Sequence, residues 1–132
     1  MKFMLMMNHA GQGPYDIASW SQKDFQAHIA FMGDLNRQLA ASGELAACEG
    51  LAGPDEARLV KAGKDGKPIT DGVFPESKEF LVGYWIVDVE SPARAHQIAA
   101  DISMAPGQGG APLHLSVEVR QVMSLPPADG VA

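Results

Sequence analysis

From Leu113 to Arg120 apolar and polar residues alternate without a break. In an extended chain this puts Leu113, Leu115, Val117 and Val119 on one side, and His114, Ser116, Glu118 and Arg120 on the other. A strand with this pattern belongs to an antiparallel sheet covered on one face only. The rest of the chain must therefore supply more strands, and helices that clad the apolar side.

It does so in a recognisable order. The segment Phe80–Val89 is dense in aromatic and β-branched residues and is the strongest strand; Ser91-Pro92 then offers a cap and a first helical residue. A shorter apolar run, Lys2–Asn8, reads as the first strand, followed by a Gly- and Pro-punctuated loop from His9 to Pro14. A helix is predicted from Ser19 or Ser21 to Ser42. Its apolar stripe is Phe25, Ile29, Met32, Leu35 and Leu39, Asp24 answers Ser21 at the cap, and Gly43 provides the stop. Weaker extended segments cover Glu44–Leu51 and Ala57–Ala62. A turn is centred on Asp65-Gly66, and a second helix covers Pro92–Ile102 with Ala95, Ile98, Ala99 and Ile102 inward. The last strand is expected over Leu113–Met123.

The order β-α-β-(β)-β-α-β is that of a ferredoxin-like split βαβ domain of the α+β class. Both helices cover one face of the sheet, and the bare face predicts a two-fold homodimer. At 132 residues the chain fits one domain, placed at residues 1–125, with a flexible tail over 126–132.

Charge and cysteine content exclude several classes. The net charge of −6 and ten dispersed Lys and Arg residues argue against nucleic-acid binding and against an anionic membrane surface. The single Cys48 cannot form an internal disulfide or a Cys-rich zinc site. The N-terminal apolar run is too short for a signal peptide, and no stretch approaches a membrane span. A cytoplasmic protein is expected, with no cofactor and no metal.

Strand phase then selects a cavity on the helix-free face. Phe3, Leu5 and Met7 are placed under the helices, and Met4, Met6 and Asn8 on the cavity side. In the Phe80–Val89 strand, Gly83 and Trp85 are assigned to the cavity, and Phe80, Val82, Tyr84 and Ile86 to the other side. Gly83 removes side-chain volume, leaving room for a ligand or another backbone. The expected cavity has a floor of Met4, Met6 and Trp85, with Ser116, Glu118 and Arg120 as convergent polar groups. That mixture suits a small organic molecule. The plainer reading of Glu118 and Arg120 is an ordinary interface ion pair that fixes a dimer and binds nothing.

Several stretches resemble the YCII-related family, in its DGPF branch. The signature reads Asp71-Gly72-Val73-Phe74-Pro75-Glu76-Ser77-Lys78-Glu79, followed by Leu81, Gly83 and Tyr84. Gly43-Glu44-Leu45 leading to Glu49-Gly50-Leu51 is a second match, and Val117-Glu118-Val119-Arg120 a third. Val73 replaces the family's Pro, which restores an N–H and loosens the turn. The resemblance implies a ferredoxin-like fold and a dimeric α+β barrel. Some members of the wider group resemble lyases that act on small ring compounds through a His–Asp pair. Others are associated with alternative sigma factors, which implies a non-catalytic interaction module as the rival function.

His28 and Asp101 are the nearest candidates for such a pair, although the group's histidine position falls one helical turn later, at Met32. A carboxylate-held histidine is a sound general base. The alternative for His28 is a partly exposed helix residue. His9, after the first strand, and His114, on the polar side of the last, are further candidates, and Glu118 is a candidate proton carrier. His96 is expected in solvent. Asp71, Gly72, Phe74, Lys78 and Glu79 form the signature loop, read either as a site or as a closure over the sheet edge. Gly107-x-Gly109-Gly110 lacks the strand–turn–helix setting of a phosphate loop.

Overall fold

The structure is a computed structural model and describes residues 1–9, 17–72 and 79–124. The expected His9–Pro14 loop (beyond His9), the motif residues Phe74 and Lys78, and the 126–132 tail lie outside the described residues.

The elements run β1 (Lys2–His9), α1 (Gln22–Ala41), β2 (Leu45–Gly50), β3 (Arg58–Ala62), β4 (Pro68–Gly72), β5 (Phe80–Asp88), α2 (Pro92–Ser103) and β6 (Val117–Gln121). The chain is α+β. Four strands make an open antiparallel sheet in the order β2-β5-β1-β6, and β3 and β4 form a separate two-stranded sheet. No helix among the described residues is long and apolar enough to cross a membrane.

Local chemistry explains where the helices begin and end. The Ser21 hydroxyl accepts the Asp24 amide at 3.1 Å, satisfying one of the open donors of the first turn. Gly43 takes φ +79° after Ser42, the left-handed stop that glycine adopts without a Cβ penalty. Ser91 caps α2 in the same way through the Arg94 amide, with Pro92 in the first turn.

Both helices lie on one face of the sheet. Phe3, Leu5 and Met7 of β1 and Trp85 and Val87 of β5 join Leu35 and Leu39 of α1, and Ala95, Ile98 and Ile102 of α2, in one buried cluster. Leu5, Val87 and Ile98 have no exposed surface, each stabilising the fold by roughly 1.5–3 kcal/mol through burial. They mark the centre of the layer between sheet and helices.

Four expectations need correction. Trp85 faces the helices and not the cavity: it is 4% exposed and stands opposite buried Leu5. Tyr84 and Ile86 consequently point to the helix-free face. The first half of the α1 stripe is rotated, since Phe25 and Ile29 are 39% and 51% exposed while His28 is buried. The set His28, Met32, Leu35, Leu39 keeps helical spacing equally well, and its polar member finds a partner inside. The last strand is shorter than its alternation: Leu113–Ser116 is not strand, and His114 sits at φ +52°. Finally, the segment after the Asp65-Gly66 turn is a strand, β4, so the insertion is a full hairpin.

The connection between α2 and β6 is held tightly. Leu113 and His114 amides donate to the Ala105 and Ser103 carbonyls, and the Ser103 hydroxyl to the Leu115 carbonyl at 2.7 Å. Gly107 is buried beside Leu113 and Trp20, and a Cβ there would lie 2.5 Å from Leu113 Cδ2. Gly107 thus serves close packing, whereas Gly109 and Gly110 take φ +71° and +79° and serve the turn.

Candidate functional site: the helix-free sheet face

Strand register sets two rows of side chains across the helix-free face. Ala47, Ile86, Met4 and Arg120 stand in one; Glu49, Tyr84, Met6 and Glu118 stand in the next. The four central side chains, Met4, Met6, Tyr84 and Ile86, are half-buried by their neighbours. The charged groups lie on the outer strands, Glu49 on β2 and Glu118 and Arg120 on β6. With strands about 4.8 Å apart, Glu49 and Glu118 are roughly 14 Å from one another. The face is an apolar strip with a phenol in it and charge at both margins.

Of the expected lining residues, Met4, Met6, Glu118 and Arg120 share this face. Glu118 and Arg120 are two residues apart on one strand, with Oε2 and Nε 3.9 Å apart and side chains 53% and 73% exposed. Such a pair in water adds little stability, and both groups remain accessible to a ligand or a second chain. Ser116 is exposed in the segment before β6. Gly83, expected on the cavity side, instead alternates with Trp85 and Val87 on the helix-facing side, and it stands opposite Gly50 of the paired strand β2, where a Cβ would lie 3.2 Å from the Glu49 carbonyl oxygen. Its role is the approach of another backbone.

Trp85 belongs to a different arrangement. Its indole N–H donates to Asn36 Oδ1 at 2.8 Å, and Asn36 Nδ2 donates to Cys48 Sγ at 3.4 Å. Burial pushes the Cys48 thiol up from its ordinary value, so it remains protonated at neutral pH. The signal that sequence reading missed was Asn36 beside the Leu35–Leu39 stripe. A polar side chain at the margin of an apolar face implies a buried partner.

The candidate histidines scatter. His28 is 2% exposed, with Nδ1 2.9 Å from the Pro106 carbonyl oxygen and Trp20 edge-on at 5.4 Å. Burial lowers its pKa, an effect only partly offset by the backbone hydrogen bond, so the neutral ring is favoured. Asp101 is engaged elsewhere and accepts Gln97 Nε2 at 3.0 Å. It lines a groove of about 480 Å³ between α1 and α2 with Phe31, Asp34 and Met104. His9 ends β1 opposite Phe80, and His114 is exposed ahead of β6. His96 lies exposed on α2. Of the signature residues, Asp71 and Gly72 close β4, where the Asp71 carboxylate accepts the Gly72 amide at 2.8 Å; Glu79 is exposed just before β5.

One ion pair fixes the frame around the sheet. Arg94 at the start of α2 makes two 2.8 Å bonds to the Glu44 carboxylate ahead of β2. The guanidinium and the Ser42 hydroxyl hold Glu44 down at about 2.

A family model for the YCII-related domain matches residues 1–113, all but the last of the sheet strands. The chain belongs to the YCII-related family. The match takes in Met4, Met6, Tyr84 and Ile86 but stops before β6, so the charged margin at Glu118 and Arg120 is outside it. A search of curated proteins finds no match to this YCII-related domain.

Proposed function

We propose that this YCII-related domain is one half of a two-fold homodimer whose helix-free sheet faces enclose a small organic molecule. The observation that carries the reading is the strip of Met4, Met6, Tyr84 and Ile86 on the bare face, bordered by Glu118 and Arg120. The strand order β2-β5-β1-β6 suits a ferredoxin-like protomer, and two such protomers meeting face to face form a dimeric α+β barrel. A single chain leaves the strip open to water; an opposed copy supplies the missing wall and makes the site concave.

In that cavity Arg120 holds an anionic group of the ligand through its planar fork of donors. The Tyr84 hydroxyl offers a hydrogen bond, and the methionines adapt to an irregular apolar body. Glu118 is the group placed to carry a proton, which gives lyase or isomerase chemistry of the acid–base type. Trp85 has no part in the pocket, and His28 and Asp101 act separately.

The experiment is a thermal-shift screen of small carboxylates and ring compounds, with calorimetry on each confirmed ligand. Arg120→Ala and Met6→Ala are expected to weaken binding about tenfold or more, the loss of roughly 1.4 kcal/mol. Unchanged affinity for every confirmed ligand in both variants refutes the location.

A further inference from the structure

The β3–β4 hairpin has no use in the reading above, and its make-up is unlike that of the body. Every residue of both strands is exposed. Leu59, Val60 and Ile69 are 53%, 62% and 51% exposed. By pairing register Leu59 and Ile69 share one side of the hairpin with Lys61 and Asp71, and Val60 the other with Thr70; a concavity of about 370 Å³ is lined by Leu59, Val60, Lys61, Ile69 and Asp71. The turn is well formed: the Gly63 amide donates to the Lys67 carbonyl, and Gly66 takes φ +79°. Yet a two-stranded ribbon is marginal in water and gains independent stability by packing on a further layer. Apolar side chains on both sides of such a ribbon mark a surface that docks.

Charge names the occupant. Arg58, Lys61, Lys64 and Lys67 against Asp65 and Asp71 make the hairpin +2, so the remainder of a chain of net charge −6 carries −8. A basic, apolar arm on an acidic body complements another copy of that body, whereas the body repels nucleic acid. We infer that the β3–β4 hairpin is a clasping arm that seats on the body of a second copy of this chain, each copy giving one arm and receiving one. The reciprocal exchange is the closed, two-fold solution for a single arm per chain. The inference goes beyond the sheet-face site and stands without it, because arms can join two copies whose sheet faces bind nothing.

The test is sedimentation equilibrium on the full chain and on the double variant Val60→Asp with Ile69→Asp. Neither residue touches the core, so circular dichroism is expected to be unchanged. The wild type is expected to be a dimer and the variant to dissociate at least tenfold more readily. A monomeric wild type, or an unchanged dissociation constant, overturns the inference. A second measurement locates the arm. Carbodiimide coupling of dimers mixed from ¹⁴N and ¹⁵N chains is expected to join Lys61, Lys64 or Lys67 of one copy to a body carboxylate of the other. Arm bonds confined to single copies overturn it. Ile86→Lys on the sheet face separates the two ideas. If it abolishes ligand binding while the arm variant leaves the dimer intact, the arm fails alone. If the arm variant splits the dimer while neither Ile86→Lys nor Arg120→Ala affects any ligand, the sheet-face site fails alone.

Discussion

Replacing Asn36 by alanine tests the placement of Trp85, on which the outline of the candidate site depends. The indole N–H is buried with its ring and has Asn36 Oδ1 as acceptor at 2.8 Å. Asn36→Ala removes that acceptor and strands the donor, a penalty of about 1–3 kcal/mol for an unsatisfied buried group. The loss of the weaker amide bond to Cys48 Sγ adds little, since sulfur is a poor acceptor. Trp85→Phe removes the donor itself. Asn36 is only half-buried and can turn to water, so the hydrogen-bond share of that loss is smaller, and the remainder is cavity. A double-mutant cycle should therefore give a coupling of about 1 kcal/mol. The assay is urea denaturation followed by circular dichroism at 222 nm, at one fixed protein concentration because dimerisation would shift the midpoint. If Asn36→Ala costs less than about 0.5 kcal/mol and the coupling vanishes, the indole is not buried against α1. Trp85 would then return to the helix-free face.

Three further outcomes follow from the geometry. Glu44 is held at about 2 against an ordinary 4.5, so its stabilisation is complete above pH 4.5 and is lost as pH falls toward 2. With Arg94 substantially exposed the contribution is discounted to about 1 kcal/mol, and the stability gap between wild type and Glu44→Gln should close across that window. His28 titrates in a separate range: its folded pKa lies below 6.5, so the unfolded chain takes up the proton first and stability falls as pH drops below 6.5. Stability curves of wild type and His28→Gln should differ in slope there, and parallel curves would count against a buried neutral ring. Gly83→Ala sets a Cβ 3.2 Å from the Glu49 carbonyl oxygen of the paired strand β2 and should cost about 1–3 kcal/mol in thermal denaturation, and an unchanged midpoint would refute so close an approach of that backbone.

The sequence carried much of this architecture because short-range chemistry dictates it. Ser21, Gly43 and Ser91-Pro92 bound the helices through their own backbone preferences, and the Asp65-Gly66 turn announces itself in the same way. Phe3, Leu5 and Met7 lie under the helices as expected, although β1 too is apolar on both sides and only its pairing with Trp85 and Val87 fixes the choice. What failed was relative phase. Strand β5 is apolar on both sides, so alternation cannot choose between Trp85 and Tyr84; the choice is made by the antiparallel register that sets Trp85 opposite Leu5. Likewise the α1 stripe admits two rotations, and the Pro106 carbonyl, 78 residues away, selects the one that buries His28. Strand β4 was missed because Pro68, Asp71 and Gly72 are types depleted in strands, and the segment reads as one only when the partner β3 is known.

Strand β1 lies in the middle of the sheet, yet its neighbours are β5 and β6. On a ribosome it emerges first and waits for both. At about 5–20 residues per second, the interval before Gln121 appears is on the order of ten seconds. Until β5 has emerged Met4, Leu5, Met6 and Met7 have neither edge bonded, and from then until β6 follows one edge stays open on a strand that is apolar on both sides. The position of one strand thus makes assembly of the sheet a late event in synthesis, and makes cellular yield depend on how the newborn β1 is sheltered.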